Sequence, residues 1–236
     1  MGLIYHWGPA IREIPVKPGA KSIAPRRIRR EVRDEELQED LERYRRMAIE
    51  LGAADARIVH ASDVRVDERV LLKCMIPRCY SYGESPNCPP YTPSPDLMRK
   101  ALSKYKYAVF FKLDVKPVED FAHPELWHKG HIRHYTKVFE IVGRIEARAF
   151  NDGYYLAMGF GAGTCKVALC QGMYCQFLDS GRCRYPLKAR PSMEAVGIDV
   201  FDLATKVGWE VYPIGYKEVD PKLVPCAIAC GIIFIY

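Results

Sequence analysis

The chain has 236 residues, 49% hydrophobic and 27% charged, with a formal net charge of +6. That length can bury a real core, and the balance is ordinary for a soluble globular protein. No run approaches the ~18 apolar residues of a membrane span, and Met1 to Ala10 lacks the pattern of a secretion signal, so a cytoplasmic protein without a membrane partner is expected.

Residues 1–30 are rich in Pro, Gly and basic residues and read as an irregular arm, with residues 31–236 as one α/β domain. Lys17, Lys21, Arg26, Arg27, Arg29, Arg30 and Arg33 give this region its positive charge. Such an arm can contact nucleic acid or an acidic protein. Without basic–aromatic alternation, a solvated extension is favoured over nucleic-acid binding.

From Asp34 to Leu51 the apolar positions Leu37, Leu41, Tyr44, Met47, Ala48 and Leu51 recur at helical spacing, and Gly52 supplies a stop. Arg57–His60 and Val64–Leu72 are expected as strands around a turn at Ser62-Asp63, the second delivering Cys74. Ser94 caps a helix opening at Pro95, with Leu97, Ala101 and Leu102 turned inward. A strand follows over Tyr107–Leu113, then a loop over 116–130.

The stripe Tyr135, Val138, Phe139, Val142, Ile145 and Ala149 predicts a long helix from His131 to Phe150. Tyr154–Phe160 is expected as a strand running into Gly161-Ala162-Gly163. Asp199 caps a helix reaching Val207, with Gly208 at its end. Trp209–Ile214 and Ile232–Tyr236 close the pattern as strands. The expected fold is α/β or α+β: a mixed sheet with flanking helices and two cysteine-rich metal-binding loops.

Seven of the nine cysteines form two groups. The first is Cys74, Cys79 and Cys88, followed by Pro89-Pro90. The second is Cys165, Cys170, Cys175 and Cys183, with Pro186 beyond. Cysteines five residues apart are about 140° out of phase on a helix, so the second group can converge only from a looped or broken stretch. Iron–sulfur clusters are held by thiolates in this manner, commonly four, often with a following proline. Structural zinc sites favour pairs of Cys-x2–4-Cys, and no Cys-x2-Cys occurs here; zinc stays as the alternative, ahead of disulfides or free thiols. Asn87, Asn151, Gln38, Gln171 and Gln176 are the only side-chain amides, a scarcity typical of heat-loving organisms; retaining nine cysteines against that bias also favours ligation.

The first group lacks a fourth ligand. Cys226 and Cys230, four apart and so on one helical or strand face, are the natural donors; burial as plain apolar residues is the competing reading. His123, His128, His131 and His134 cluster ahead of the long helix, where a solvated helix start outweighs a metal site. Lys166, Arg182, Arg184, Lys188 and Arg190 surround the second group and could offset a reduced centre or dock an acidic partner. No dinucleotide fingerprint or phosphate loop is present.

The run Val66-Asp67-Glu68-Arg69-Val70, Leu72-Lys73-Cys74, Cys79, Tyr82-Gly83, Cys88-Pro89-Pro90 and Pro93-Ser94-Pro95 resembles the predicted metal-binding, cysteine-rich family of unknown function found mainly in anaerobic prokaryotes. So do Gly153-Tyr154-Tyr155, Ala162-Gly163-Thr164-Cys165, Cys183-Arg184-Tyr185-Pro186 and, above all, Ala189 to Val200. The resemblance covers about residues 55–236. It implies that Cys74, Cys79, Cys88, Cys165, Cys170, Cys175 and Cys183 bind metal as iron–sulfur clusters, and it assigns no reaction.

The resulting expectation is an iron–sulfur protein with two [4Fe-4S] clusters. It would transfer electrons to a redox partner, as a carrier or as an accessory subunit of an anaerobic oxidoreductase. The alternatives are an enzyme with an open, substrate-binding iron at the three-cysteine site, or a zinc-stapled module whose basic arm contacts nucleic acid.

Overall fold

A computed structural model describes residues 24–28, 31–123, 127–214 and 219–236. The N-terminal arm before Ala24, Arg29, Arg30 and the side chain of His128 therefore lie outside the described residues.

The first expected helix is α1, Asp34–Glu50, with Leu37, Leu41, Tyr44 and Ala48 buried on one face. It ends at Gly52, whose φ of 104° suits the turn into β1, Asp55–His60. A 3-10 turn at Ala61–Asp63 precedes the expected strand Val64–Leu72, which is instead an irregular stretch running into helix α2, Glu68–Met75. The reason is local. Asp67 accepts a hydrogen bond from the Arg69 backbone N–H (2.9 Å) and caps the helix, outweighing the β-branched Val64, Val66 and Val70. Only Val66 keeps a β-bridge, to Ile198.

Helix α3, Pro95–Leu102, starts as expected, with Ser94 Oγ accepting from Leu97 N. Its inward residues are Met98 and Leu102, while Leu97 points to solvent. Strand β2, Tyr107–Asp114, agrees with the sequence. The expected loop after it contains a short helix, α4 (Glu119–Ala122), and the long helix α5 begins earlier than predicted, spanning Trp127–Asn151. Its stripe Val138, Phe139, Val142, Ile145 and Ala149 is fully buried.

Only Met158–Phe160 of the next expected strand pairs, as β3. Two short helices follow, α6 (Cys165–Ala168) and α7 (Gln176–Ser180), and then α8, Val200–Lys206, capped by Asp199. Trp209–Ile214 forms no strand, and the Trp209 ring stacks on Phe110 with centroids 4.7 Å apart. The last strand, β4, runs over Ile228–Phe234, earlier than its expected position.

The four strands form one sheet in the order β1-β2-β4-β3, and every pairing is antiparallel. Of the two expected classes this is α+β; the mixed sheet is replaced by an antiparallel one. Because side chains alternate across a strand, β2 feeds two cores. Val109 and Phe111 join α1 and α5 on one face, and Ala108 and Phe110 join α3, α8 and Trp209 on the other. Covering both faces explains why β2 and β4 read as continuous apolar runs. No helix among the described residues is long and apolar enough to cross a membrane.

A buried ionic knot ties Arg26 and α1 to this body. Asp40 accepts from Arg26 and the Tyr154 hydroxyl, and Asp152 accepts from Arg43, Tyr44 and Arg148, each at 2.7–2.8 Å. Arg26, counted in the basic arm, is thus an anchor and not free charge. Three donors hold the Asp152 carboxyl below its ordinary pKa although burial alone pushes it up.

Candidate metal centre

The two cysteine groups are carried by loops that share one strap, residues 191–199. At one end Met193 N donates to Gly161 O and Gly161 bridges Ser192. At the other, Asp67 N donates to Gly197 O and Asp199 N to Arg65 O, fixing the start of α2. Between them the Thr92 hydroxyl donates to Ala195 O at 2.7 Å. Met193, Val196 and Ile198 are fully buried beneath this strap. Backbone hydrogen bonds and apolar burial together hold the two loops beside each other.

In the first loop Cys74 ends α2, and Cys79 N donates back to Cys74 O at 3.0 Å. Gly83 N to Pro89 O closes the loop so that Cys88 turns inward and is buried. In the second, Thr164 caps α6, placing Cys165 at its first position; Cys170 follows that helix, Cys175 precedes α7, and Cys183 follows the left-handed Gly181. This is the broken stretch that the five-residue spacing requires. Cys165, Cys170, Cys175 and Cys183 all line one cavity of about 20 Å³, together with Asn87 of the first loop. The loops meet where Cys88 Sγ donates to Thr164 Oγ1 at 3.5 Å and Asn87 Nδ2 donates to Cys165 Sγ at 3.4 Å.

Gly163 makes this approach possible. It has φ +63°, and a Cβ there would lie 2.3 Å from the Tyr135 ring. The α5 residue Tyr135 therefore packs directly against the backbone that leads to Cys165.

All nine cysteines are free thiols. Burial pushes Cys74 and Cys165 up to about 11, with neighbouring thiols adding to the effect. Burial also raises Cys88 and Cys170, against the opposing pull of Ser85 and Thr164 on the first and Arg184 on the second. Other donors aim at sulfur: Ser81 N at Cys79 (3.5 Å) and Tyr185 N at Cys183 (3.3 Å). Ser85 Oγ, buried near Cys88 and Cys165, has no hydrogen-bond partner of ordinary geometry among the described residues.

The chemistry of this donor set fits a soft metal centre, since soft thiolates select iron–sulfur clusters or zinc and need N–H and O–H donors around them. Its geometry is not that of a closed site. Among the described residues no group of three or more His, Cys, Asp or Glu side chains is arranged to hold a metal ion. The cavity admits about one water, so a multi-iron group fits only if the second loop opens. On the outer side of that loop Met173, Tyr174, Phe177 and Leu178 are exposed.

Cys226, which precedes β4, and Cys230, within it, both line a second, larger cavity. Cys230 is buried in β4, and burial raises its pKa strongly. Cys226 Sγ lies 3.6 Å from Glu210 O. Glu194, which the sequence reading passed over, lines the same cavity and lies within electrostatic reach of both Cys74 and Cys230. Burial raises its pKa against the pull of its own backbone N–H and Ser192. Its only sequence signal was a lone acid in the apolar run Met193–Ile198. Asn87 and Ser85 were equally legible only as neighbours of Cys88.

His131 and His134 of α5 contact α4. His134 Nε2 lies 2.8 Å from Asp120 Oδ2, and the His131 ring meets Phe121 edge-on at 4.2 Å. Around the second group, Lys166 pairs with Glu84, Arg190 with Glu146, and Arg184 donates to Tyr174 O. These bonds make Lys166, Arg184 and Arg190 part of the loop's framework.

No curated protein and no solved structure matches the chain. Residues 57–228 match the family described as "Predicted metal-binding protein (DUF2284)", a span that takes in both cysteine groups and the strap between them. The chain belongs to that family of predicted metal-binding proteins.

Proposed function

We propose that the chain is an iron–sulfur protein with two [4Fe-4S] centres, one per cysteine group, that serves electron transfer as a carrier or accessory subunit of an anaerobic oxidoreductase. The observation that carries this reading is the convergence of Cys165, Cys170, Cys175 and Cys183 on one cavity, with Cys88 joined to its edge through Thr164. Clusters of this type accept and release electrons at potentials set by charge, hydrogen bonds to sulfur and exposure.

The chain's own residues would set those conditions. Ser81 N, Tyr185 N and Asn87 Nδ2 donate to Cys79, Cys183 and Cys165. Arg184 favours the Cys170 thiolate. Exposed Met173, Tyr174, Phe177 and Leu178 flank Cys170 and Cys175, a surface on which a redox partner protein could dock.

An enzyme with an open iron at the three-cysteine site is the second reading. It is favoured by one observation: the cavity residue Glu194 lies within electrostatic reach of Cys74.

The test is iron, zinc and acid-labile sulfide content of anaerobically purified protein, with its visible spectrum. About eight irons with matching sulfide are expected, falling to about half in Cys175→Ser. Zinc without sulfide would sink the reading.

A further inference from the structure

The larger cavity measures about 580 Å³, the size of pockets that take small molecules. Buried Ala162, Met193, Ala229 and Cys230 form its interior, and exposed Phe201 and Glu210 stand at its mouth. Glu194 and Glu210 are its carboxyl groups, and among the described residues no lysine or arginine lines it. An anion entering here would meet two carboxyl groups, with the imidazoles of His123 and His131 as the basic side chains in the lining. The rings of Phe121, Tyr135, Phe201 and Tyr212 line the same space, and aromatic faces attract cations.

Glu194 is the deeper acid. Its Oε2 is shut off from solvent and has no hydrogen-bond partner among the described residues. A buried acceptor left unpaired is costly, so the site favours a ligand that brings a donor. The terminal torsion of a glutamate is soft, so the carboxyl can turn Oε2 into the cavity. A neutral ligand would supply a donor without a counter-charge; an ammonium supplies both.

We propose that this cavity binds a small organic amine, with Glu194 receiving its ammonium group and the aromatic walls enclosing its apolar body. The binding does not depend on a metal. Only a catalytic use of it rests on the open-iron reading, and the two fail separately, because binding is read as heat and the iron by its spectrum.

The experiment is calorimetric titration of the intact chain with benzylamine, benzyl alcohol and benzoate, which share one ring and differ in charge. Benzylamine is expected to bind at least about tenfold more tightly than either, a difference well resolved by titration. Glu194→Gln, with folding checked by its melting curve, should bring benzylamine down to the level of the alcohol. The wild-type comparison decides the ligand class even if that variant fails to fold. The proposal is overturned if benzylamine does not bind at low millimolar concentration, if benzoate or the alcohol binds as tightly, or if folded Glu194→Gln keeps the preference for the amine.

Discussion

Replacing Asp152 with asparagine tests whether the buried ionic knot holds α1 against the body. The side chain is 1% exposed and accepts from Arg43, Tyr44 and Arg148 at 2.7–2.8 Å. Asparagine keeps the shape but removes the charge and turns an N–H₂ toward part of that donor set. Breaking a buried pair by neutralising one partner costs up to about 3–5 kcal/mol; Arg43 keeps its ion pair with Asp40, so the loss falls mainly on Arg148. Glu42→Gln is the control. It loosens the partly exposed Arg45–Glu42 pair on α1, for which about 0.5 kcal/mol is the expected scale. Urea unfolding at pH 7 compares the two.

The pH dependence has a definite sign. The Asp152 pKa is depressed in the folded state, so its stabilisation is complete above the unfolded value, about 3.9, and is lost as pH falls through the folded one. The gap between wild type and Asp152→Asn should therefore narrow below about pH 4. Equal losses for Asp152→Asn and Glu42→Gln at pH 7, or a gap that widens in acid, would refute the reasoning.

Two further outcomes follow from the site. Gly163→Ala meets the Tyr135 ring at 2.3 Å and has φ +63°, whereas Gly172, at φ +80°, has nothing within 4 Å. Gly172→Ala should cost about 1 kcal/mol of backbone strain, and Gly163→Ala a further 1–3 kcal/mol or so of overpacking; equal melting-temperature losses would show that Tyr135 does not press on the loop. In metal-free protein, Cys74 and Cys165 titrate at about 11. At pH 8 only about one thiol in a thousand is then ionised. Mass spectrometry after iodoacetamide treatment should find both thiols slow to label, with rates climbing about tenfold per pH unit. Labelling at the rate of an ordinary free cysteine would contradict it.

What the sequence determined by itself is what local physics controls. The α1 and α5 stripes, the Ser94 and Asp199 caps and the stop at Gly52 depend on spacing and on side chains bonding nearby backbone, and all stand where expected. The out-of-phase spacing of Cys165, Cys170 and Cys175 likewise required a broken stretch, and one is present. Where local signals competed, the outcome differs: β-branched Val64 to Val70 read as a strand, but the Asp67 cap starts α2 at Glu68.

Tertiary structure alone decided the rest. An antiparallel sheet covered on both faces leaves no alternation from which to read strand order. The strap at residues 191–199 sets both cysteine loops side by side through backbone hydrogen bonds that any sequence could make. Glu194 differs from any other glutamate only in its surroundings. Burial, a missing partner and a cavity wall come from distant segments packing together, and that is where its chemistry arises.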